Sequence, residues 1–171
     1  MNRARLVLQV PGELTYYLWK NVDILVWDAA PSPGGIGQMT RAVDQLLRED
    51  KRLRSGVHFM TERSGPPEGE ARIEFRRFGQ THRKSIACAA VVVEHRGFVA
   101  GAIKSAVTAM LLMRGDHLHT RLFSGPEEAA AWLGPVHAER SGVATNPAEL
   151  LRILRTTRAE HAAPTAVASS L

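Results

Sequence analysis

The stretch Val22-Asp23-Ile24-Leu25-Val26-Trp27 constrains the fold more than any other. Successive side chains of a strand point to opposite faces, and here both faces are mostly apolar, so the strand must be covered on both sides and lie inside its sheet. Ile86 to Val93 is a second apolar run of strand length, rich in valine toward its end, and it reads as another central strand.

The rest of the order builds around these two. Aromatic and branched residues from Glu13 to Asp28 broken at Lys20-Asn21 predict two antiparallel strands with that pair at the hairpin tip, and Leu6 to Val10 adds an edge strand. Pro31, Pro33, Gly34, Gly35 and Gly37 predict a break over Ala29–Gly37. A helix follows, with Ile36, Met39, Val43, Leu46 and Leu47 on one side and Arg41, Asp44, Arg48 and Glu49 on the other. A short strand at Gly56 to Thr61 and a second breaker, Ser64-Gly65-Pro66-Pro67, come next. Ile73, Phe75 and Phe78 then alternate with Arg72, Arg76, Arg77, Arg83 and Lys84 in an amphipathic helix with a strongly basic face.

Phe98 to Met113 is helical in length and apolar nearly all round, so it is either buried on the sheet or shared with a partner, with Gly115 as its C-cap. His117 to Phe123 reads as the last strand. Ser124-Gly125-Pro126-Glu127-Glu128 and Asn146-Pro147-Ala148-Glu149 both carry helix-start chemistry. The second leads into Leu150, Leu151, Ile153 and Leu154, and from Thr156 onward periodicity is lost and a frayed tail is expected.

At 171 residues the chain fits one domain, and 44% apolar with 23% charged residues is the balance of a protein that folds unaided. The expected division is an α/β domain over 1–140 and a C-terminal helix with flexible tail over 141–171. Leu6 to Val10 is too short for a signal peptide, and no stretch suits a membrane span, so a cytoplasmic location is expected. Net charge of +5 comes from arginines spread over several segments. Nucleic acid is therefore disfavoured as a partner, and the basic helix Arg72 to Lys84 is where it would dock. The single Cys88 reads as a small core residue, which leaves no disulfide and no multi-cysteine metal site within one chain.

This order resembles the STAS and SpoIIAA-like fold of anti-sigma-factor antagonists, a mostly parallel mixed sheet with an antiparallel start, flanked by helices. The likeness is carried by the basic helix before an apolar strand from Phe75 to Val93, by the small-residue helix Phe98 to Arg114, and by Arg121-Leu122-Phe123-Ser124-Gly125-Pro126-Glu127-Glu128-Ala129-Ala130-Ala131-Trp132-Leu133. It spans roughly Glu13 to Leu133. In that closing segment Ala129, Trp132 and Leu133 dock the helix on the sheet.

What the resemblance implies about function is a non-enzymatic protein-interaction module, with bacterial signalling as its setting. Members that act as phosphorylation switches carry Asp-x-Ser-Gly after the third core strand. Here Glu62-Arg63-Ser64-Gly65 stands in the matching place, which makes Ser64 a candidate phosphosite with Arg63 as counter-charge. Glu replaces Asp, and Pro66-Pro67 follow, removing backbone donors from any phosphate cradle.

Other motifs are structural in pattern. Gly34-Gly35-Ile36-Gly37 lacks the spacing, lysine and hydroxyl of phosphate loops and reads as a turn into a helix. Asp28 at a strand end reads as a cap or turn anchor. His117 and His119 share a strand face without a third ligand, so no metal is expected, and no cofactor. No triad or nucleophile elbow is visible, so no enzyme activity is expected. The candidate interaction surface is Arg72, Arg76, Arg83, Lys84, Phe98, Lys104, Met110 and Met113. Its partner would be another protein or a second copy in a homodimer. A small hydrophobic, lipid-like ligand in an apolar cleft beside the long helix is the alternative.

Overall fold

A computed structural model describes residues 3–112 and 119–162. Its six strands lie in sequence order, β1 (Arg5–Val10), β2 (Leu14–Trp19), β3 (Val22–Trp27), β4 (Arg54–Met60), β5 (Ile86–Val93) and β6 (His119–Phe123). The pairs β1–β2 and β2–β3 are antiparallel, and β3 to β6 are parallel. Lys20 takes the left-handed conformation, φ 52°, that lets the two-residue hairpin close where it was expected.

Each parallel step needs a crossover helix: α1 (Pro33–Glu49), α2 (Gly69–His82) and α3 (Gly97–Leu112). The steps advance in one direction, and the right-handed rule therefore puts all three helices on one face. The chain then returns over the opposite face as α4 (Pro126–Ser141) and α5 (Pro147–Ala162). Strand alternation sorts the core accordingly. Ile24, Val57, Phe59 and Val92 meet Leu133, Leu150, Ile153 and Leu154 on the α4–α5 side. Leu14, Tyr16, Leu25 and Trp27 meet α1 and α2, and Met60 and Val93 meet Ile103 and Val107 of α3.

Several expectations change. The glycine segment is not a break: α1 begins at Pro33, and Gly34, Gly35 and Gly37 are helical. A Cβ at Gly35 would fall on Glu13 Oε1, because the Glu13 carboxylate sits against this helix start and accepts from the Ser32 backbone N–H at 2.7 Å and its hydroxyl at 2.8 Å. The glycine makes room for an internal anion, which satisfies the positive end of the helix dipole. Strand β4 starts two residues before Gly56, at Arg54. Ser124 does not cap α4, whose N-cap is Gly125 with no side-chain bond; its hydroxyl instead accepts from Lys104 at 2.9 Å. Asn146 does cap α5, accepting from the Ala148 N–H at 2.8 Å.

The last helix also outruns its apolar periodicity, continuing beyond Thr156 to Ala162. Polar contacts replace the missing apolar stripe: Arg158 holds Glu94 through two bonds of 2.6 and 2.7 Å, and His161 Nε2 lies 2.6 Å from Asp28. Gly134 of α4 lets the next helix approach, since a Cβ there would lie 3.0 Å from Pro147 Cγ. Residues 163–171 lie outside the described part, as do Gly115 and His117.

Candidate functional site

Strand register places Asp23, Gly56, Ala89 and Thr120 side by side across β3 to β6 on the face that carries α1, α2 and α3. Glycine and alanine in the middle of that row leave the sheet hollow. A cavity of about 110 Å³ lies over it, walled by Met39 and Val43 of α1, Phe75 and Phe78 of α2 and Val107 of α3. Ala89, Val91 and Thr120 beneath it are only half-buried, so this part of the sheet is less completely covered than the α4–α5 side.

Polar residues also border the hollow, among them Asp23, Arg54, His58, Ser85 and Thr120. At its base Asp23 is buried and accepts from the Tyr16 hydroxyl at 2.6 Å and from Arg54 through Nε at 2.9 Å and a second guanidinium N–H. Burial pushes the Asp23 carboxyl up, while the Arg54 and Tyr16 donors pull it down. Three donors on two oxygens complete the ionised form, so the pair is neutral as a unit. Burial, and then the Asp23 charge, raise the Tyr16 hydroxyl far above its ordinary range. Higher on the face, Trp27 Nε1 donates to His58 Nδ1 at 3.3 Å. An indole N–H only donates, so Nδ1 is an acceptor and neutral His58 carries its proton on Nε2. That nitrogen lies 3.1 Å from where a Cβ on Gly56 would stand.

Beside the hollow runs α3, which is buried on the sheet along one side only. Ile103 and Val107 are buried with Met60 and Val93, and Val91, Ala100 and Leu122 pack against that cluster. The outer face is open: Phe98 is 92% exposed and Val99 54%, with Gly101, Ala102, Ser105, Thr108 and Ala109 exposed along the same helix. An all-apolar helix has no polar stripe to say which side meets water. Lys104, its one charge, is turned to Ser124. The side chain of Met110 and the whole of Met113 lie outside the described part.

The basic residues fall on the same side of the sheet. Arg72 is exposed and Arg76 half-buried on α2, while Arg83 and Lys84 lie beyond its last residue, exposed in the turn to β5. Ile73, expected on the buried side of α2, is 53% exposed, and Gly79 with Phe75 faces inward instead.

Of the remaining sequence candidates, Ser64 and Asp28 lie beyond the carboxyl ends of β4 and β3, and His119 opens β6. Ser64 is buried, and its hydroxyl donates to the Ala29 carbonyl at 3.2 Å. The next helix starts only at Gly69, so Ser64 does not stand at a helix N-terminus. Asp28 is an anchor, held by Arg63 at 3.3 Å and by His161. His119 is exposed on β6. Among the described residues no group of three His, Cys, Asp or Glu is placed to hold a metal ion, and no helix is long and apolar enough to cross a membrane.

Three features escaped the sequence reading. The Asp23–Arg54 pair had one signal, an acid inside an otherwise apolar strand. His58 and His137 had none beyond residue type. His137 is wholly buried on the α4–α5 face, its Nδ1 2.8 Å from Ser55 Oγ, which in turn lies 3.1 Å from Cys88 Sγ. Burial, then the charges of Arg54 and Lys20, push His137 down to about 4.

No protein-family model matches the sequence, and no curated protein matches it. A solved structure does: an uncharacterized protein of the DUF3478 family with a SpoIIAA-like fold, from Shewanella loihica PV-4. The likeness has a TM-score of 0.53 at 12% identity and covers 78% of this chain and 97% of that one. This chain has the SpoIIAA-like fold that the residue pattern of Phe75 to Leu133 resembles.

Proposed function

We propose that this chain is a non-enzymatic binding module that works by presenting the outer face of α3 to another protein surface, in the first instance that of a second copy of itself. The observation that carries this reading is the exposure of Phe98, 92%, at the start of a helix whose outer face bears no charge. Contiguous apolar surface of this kind marks an interaction site more often than an idle monomer surface. The same face holds a projecting ring and a low shelf formed by Gly101, Ala102 and Ser105. Knob and shelf on one surface are what a two-fold interface requires, since each copy then supplies both halves of the contact.

Sedimentation across a concentration series tests this. The natural chain should gain mass with concentration, and Phe98→Asp should remain monomeric with an unchanged circular dichroism spectrum. A natural chain that stays monomeric to high concentration overturns self-association. Ser64 is the candidate regulatory phosphosite within this reading. A phosphate on its buried hydroxyl would have to displace the bond to Ala29, so modification would loosen the turn after β4. An intact mass 80 Da above the sequence mass, taken from protein of the native host, is the expected signature, and its absence under every growth condition removes the site.

A further inference from the structure

We infer that the free edge of β1, with the groove between it and α1, is a docking site for an extended acidic segment of another protein, which adds to the sheet as a further strand. This surface lies at the opposite edge of the sheet from β6 and α3 and is independent of the contact proposed there. β1 is the end strand, and among the described residues no strand pairs with its outer edge. Its outward backbone N–H and C=O groups are therefore placed to bond a chain laid alongside.

Register shapes the groove. Leu6 is paired with Tyr17 and Leu8 with Tyr16, which leaves Val7 as a bulge without a partner in β2. Regular alternation would send Val7 and Leu8 to opposite faces; the extra residue brings both to the α1 side, where they pack against the core of Leu14, Tyr16 and Leu25. With Ala42 and Leu46 of α1 they line a groove of about 320 Å³. Arg5 and Arg41 line it too, both exposed, and among the described residues neither has an ion-pair partner. Glu49, the one acid among the described lining residues, already accepts from Gln45 at 3.3 Å. Charge then chooses the occupant. A second copy of β1 would bring another Arg5 toward these cations and be repelled, whereas an acidic segment supplies the missing counter-charge. Side chains of an added strand alternate, so acids flanking one apolar residue at every second position would meet the two arginines and the apolar lining together.

Titration with acetyl-Thr-Glu-Thr-Val-Thr-Glu-Thr-amide, read by the backbone amide shifts of Leu6 to Val10 and of Gln38 to Glu49, tests this. The peptide should bind saturably, more weakly as salt is added, and at least about tenfold more tightly than the same peptide with lysine for glutamate. N-methylation of the Glu-Val-Glu set and of the threonine set should differ, one abolishing binding and the other sparing it, because only one edge of the added strand bonds β1. Joint Arg5→Glu and Arg41→Glu, or Arg5→Gln and Arg41→Gln should the charge reversal fail to fold, should weaken binding at least about tenfold while the amide shifts of α4 and α5 stay in place. Phe98→Asp should leave it unchanged. Absence of saturable binding to the natural chain, an equal response to the lysine peptide, equal effects of the two methylated sets, or undiminished binding to the folded arginine variant overturns the proposal. Loss of binding in Phe98→Asp overturns its independence from α3. Shifts of Leu6 to Val10 that follow protein concentration without peptide would assign the edge to a second copy and overturn the acidic partner.

Discussion

On the α4–α5 side of the sheet, Leu133, Leu150, Ile153 and Leu154 are sealed against Ile24, Val57 and Phe59, and the polar groups Ser55, Cys88 and His137 are bonded to one another. On the other side the same strands meet a hollow, and one of the covering helices turns Phe98 to solvent. One sheet thus has a closed face and an open one. Side chains on a sealed face are constrained by packing on every side, which leaves little room for a ligand and makes each loss costly. An incompletely covered face gives up some stability and gains a place where something else can bind. The difference makes α4 and α5 the sealed side of the sheet and leaves the side of α2 and α3 as the one on which the proposed contact forms.

The largest expected effect comes from attacking the closed face. Leu133→Ala removes a fully buried side chain between two helices and the sheet, and such truncations cost about 2–5 kcal/mol. Val107→Ala, under α3 and beside the existing cavity, should cost less, about 1 kcal/mol, because fewer neighbours are lost at a wall that is already incomplete. Urea unfolding of the two variants compares the faces directly. Equal losses would mean that the open face is as structural as the closed one.

A smaller effect comes from pH. His137 is buried and held neutral, at about 4 against the ordinary 6.5. Below pH 6.5 the unfolded chain takes up a proton that the folded chain refuses, so stability falls as pH drops toward 4 and levels off beneath it. The loss between pH 7 and pH 4.5 should reach about 2–3 kcal/mol for this residue alone. Carboxylates paired at the surface, half-buried Asp50 with Arg52 and exposed Glu127 with Arg155, also lose their pairing in acid. The measurement is therefore the difference between the natural chain and His137→Gln, unfolded by urea at both pH values. Parallel slopes for the two proteins would mean that the closed face admits a proton or water at His137 and is less sealed than its packing implies.

The two faces were not equally legible in the sequence. Val22–Trp27 and Ile86–Val93 announced themselves because strands buried on both sides need no partner named to be recognised, and Phe123 to Leu133 carried the closing strand and helix in local chemistry. What escaped depends on residues distant in the chain. Gly35 is helical because Glu13 occupies the space beside it; α5 continues because Arg158 and His161 find Glu94 and Asp28; Arg54 joins β4 because Asp23 waits on the neighbouring strand. The hollow was invisible for a related reason. Gly56, Ala89 and Thr120 are unremarkable one at a time, and only the register of three strands brings them into a row. Helix α3 was legible in extent and not in orientation, since an apolar residue carries no mark of the side that will face water.

The smallest expected effect is also the one that separates a binding surface from a structural one most cleanly. At 92% exposure the Phe98 ring has almost nothing of this chain against it, so Phe98→Ala in the isolated monomer should change stability by no more than about 0.5 kcal/mol. Urea midpoints measured at the lowest workable protein concentration give that number. At higher concentration the picture should change, because any species that associates through α3 gains stability by mass action, and the natural chain but not Phe98→Ala should show a midpoint that rises with concentration. A concentration-independent gap between the two proteins would place the ring inside the monomer's own packing. A gap that opens only as concentration rises would assign the exposed ring to contact between copies, with the closed face left to hold each copy together.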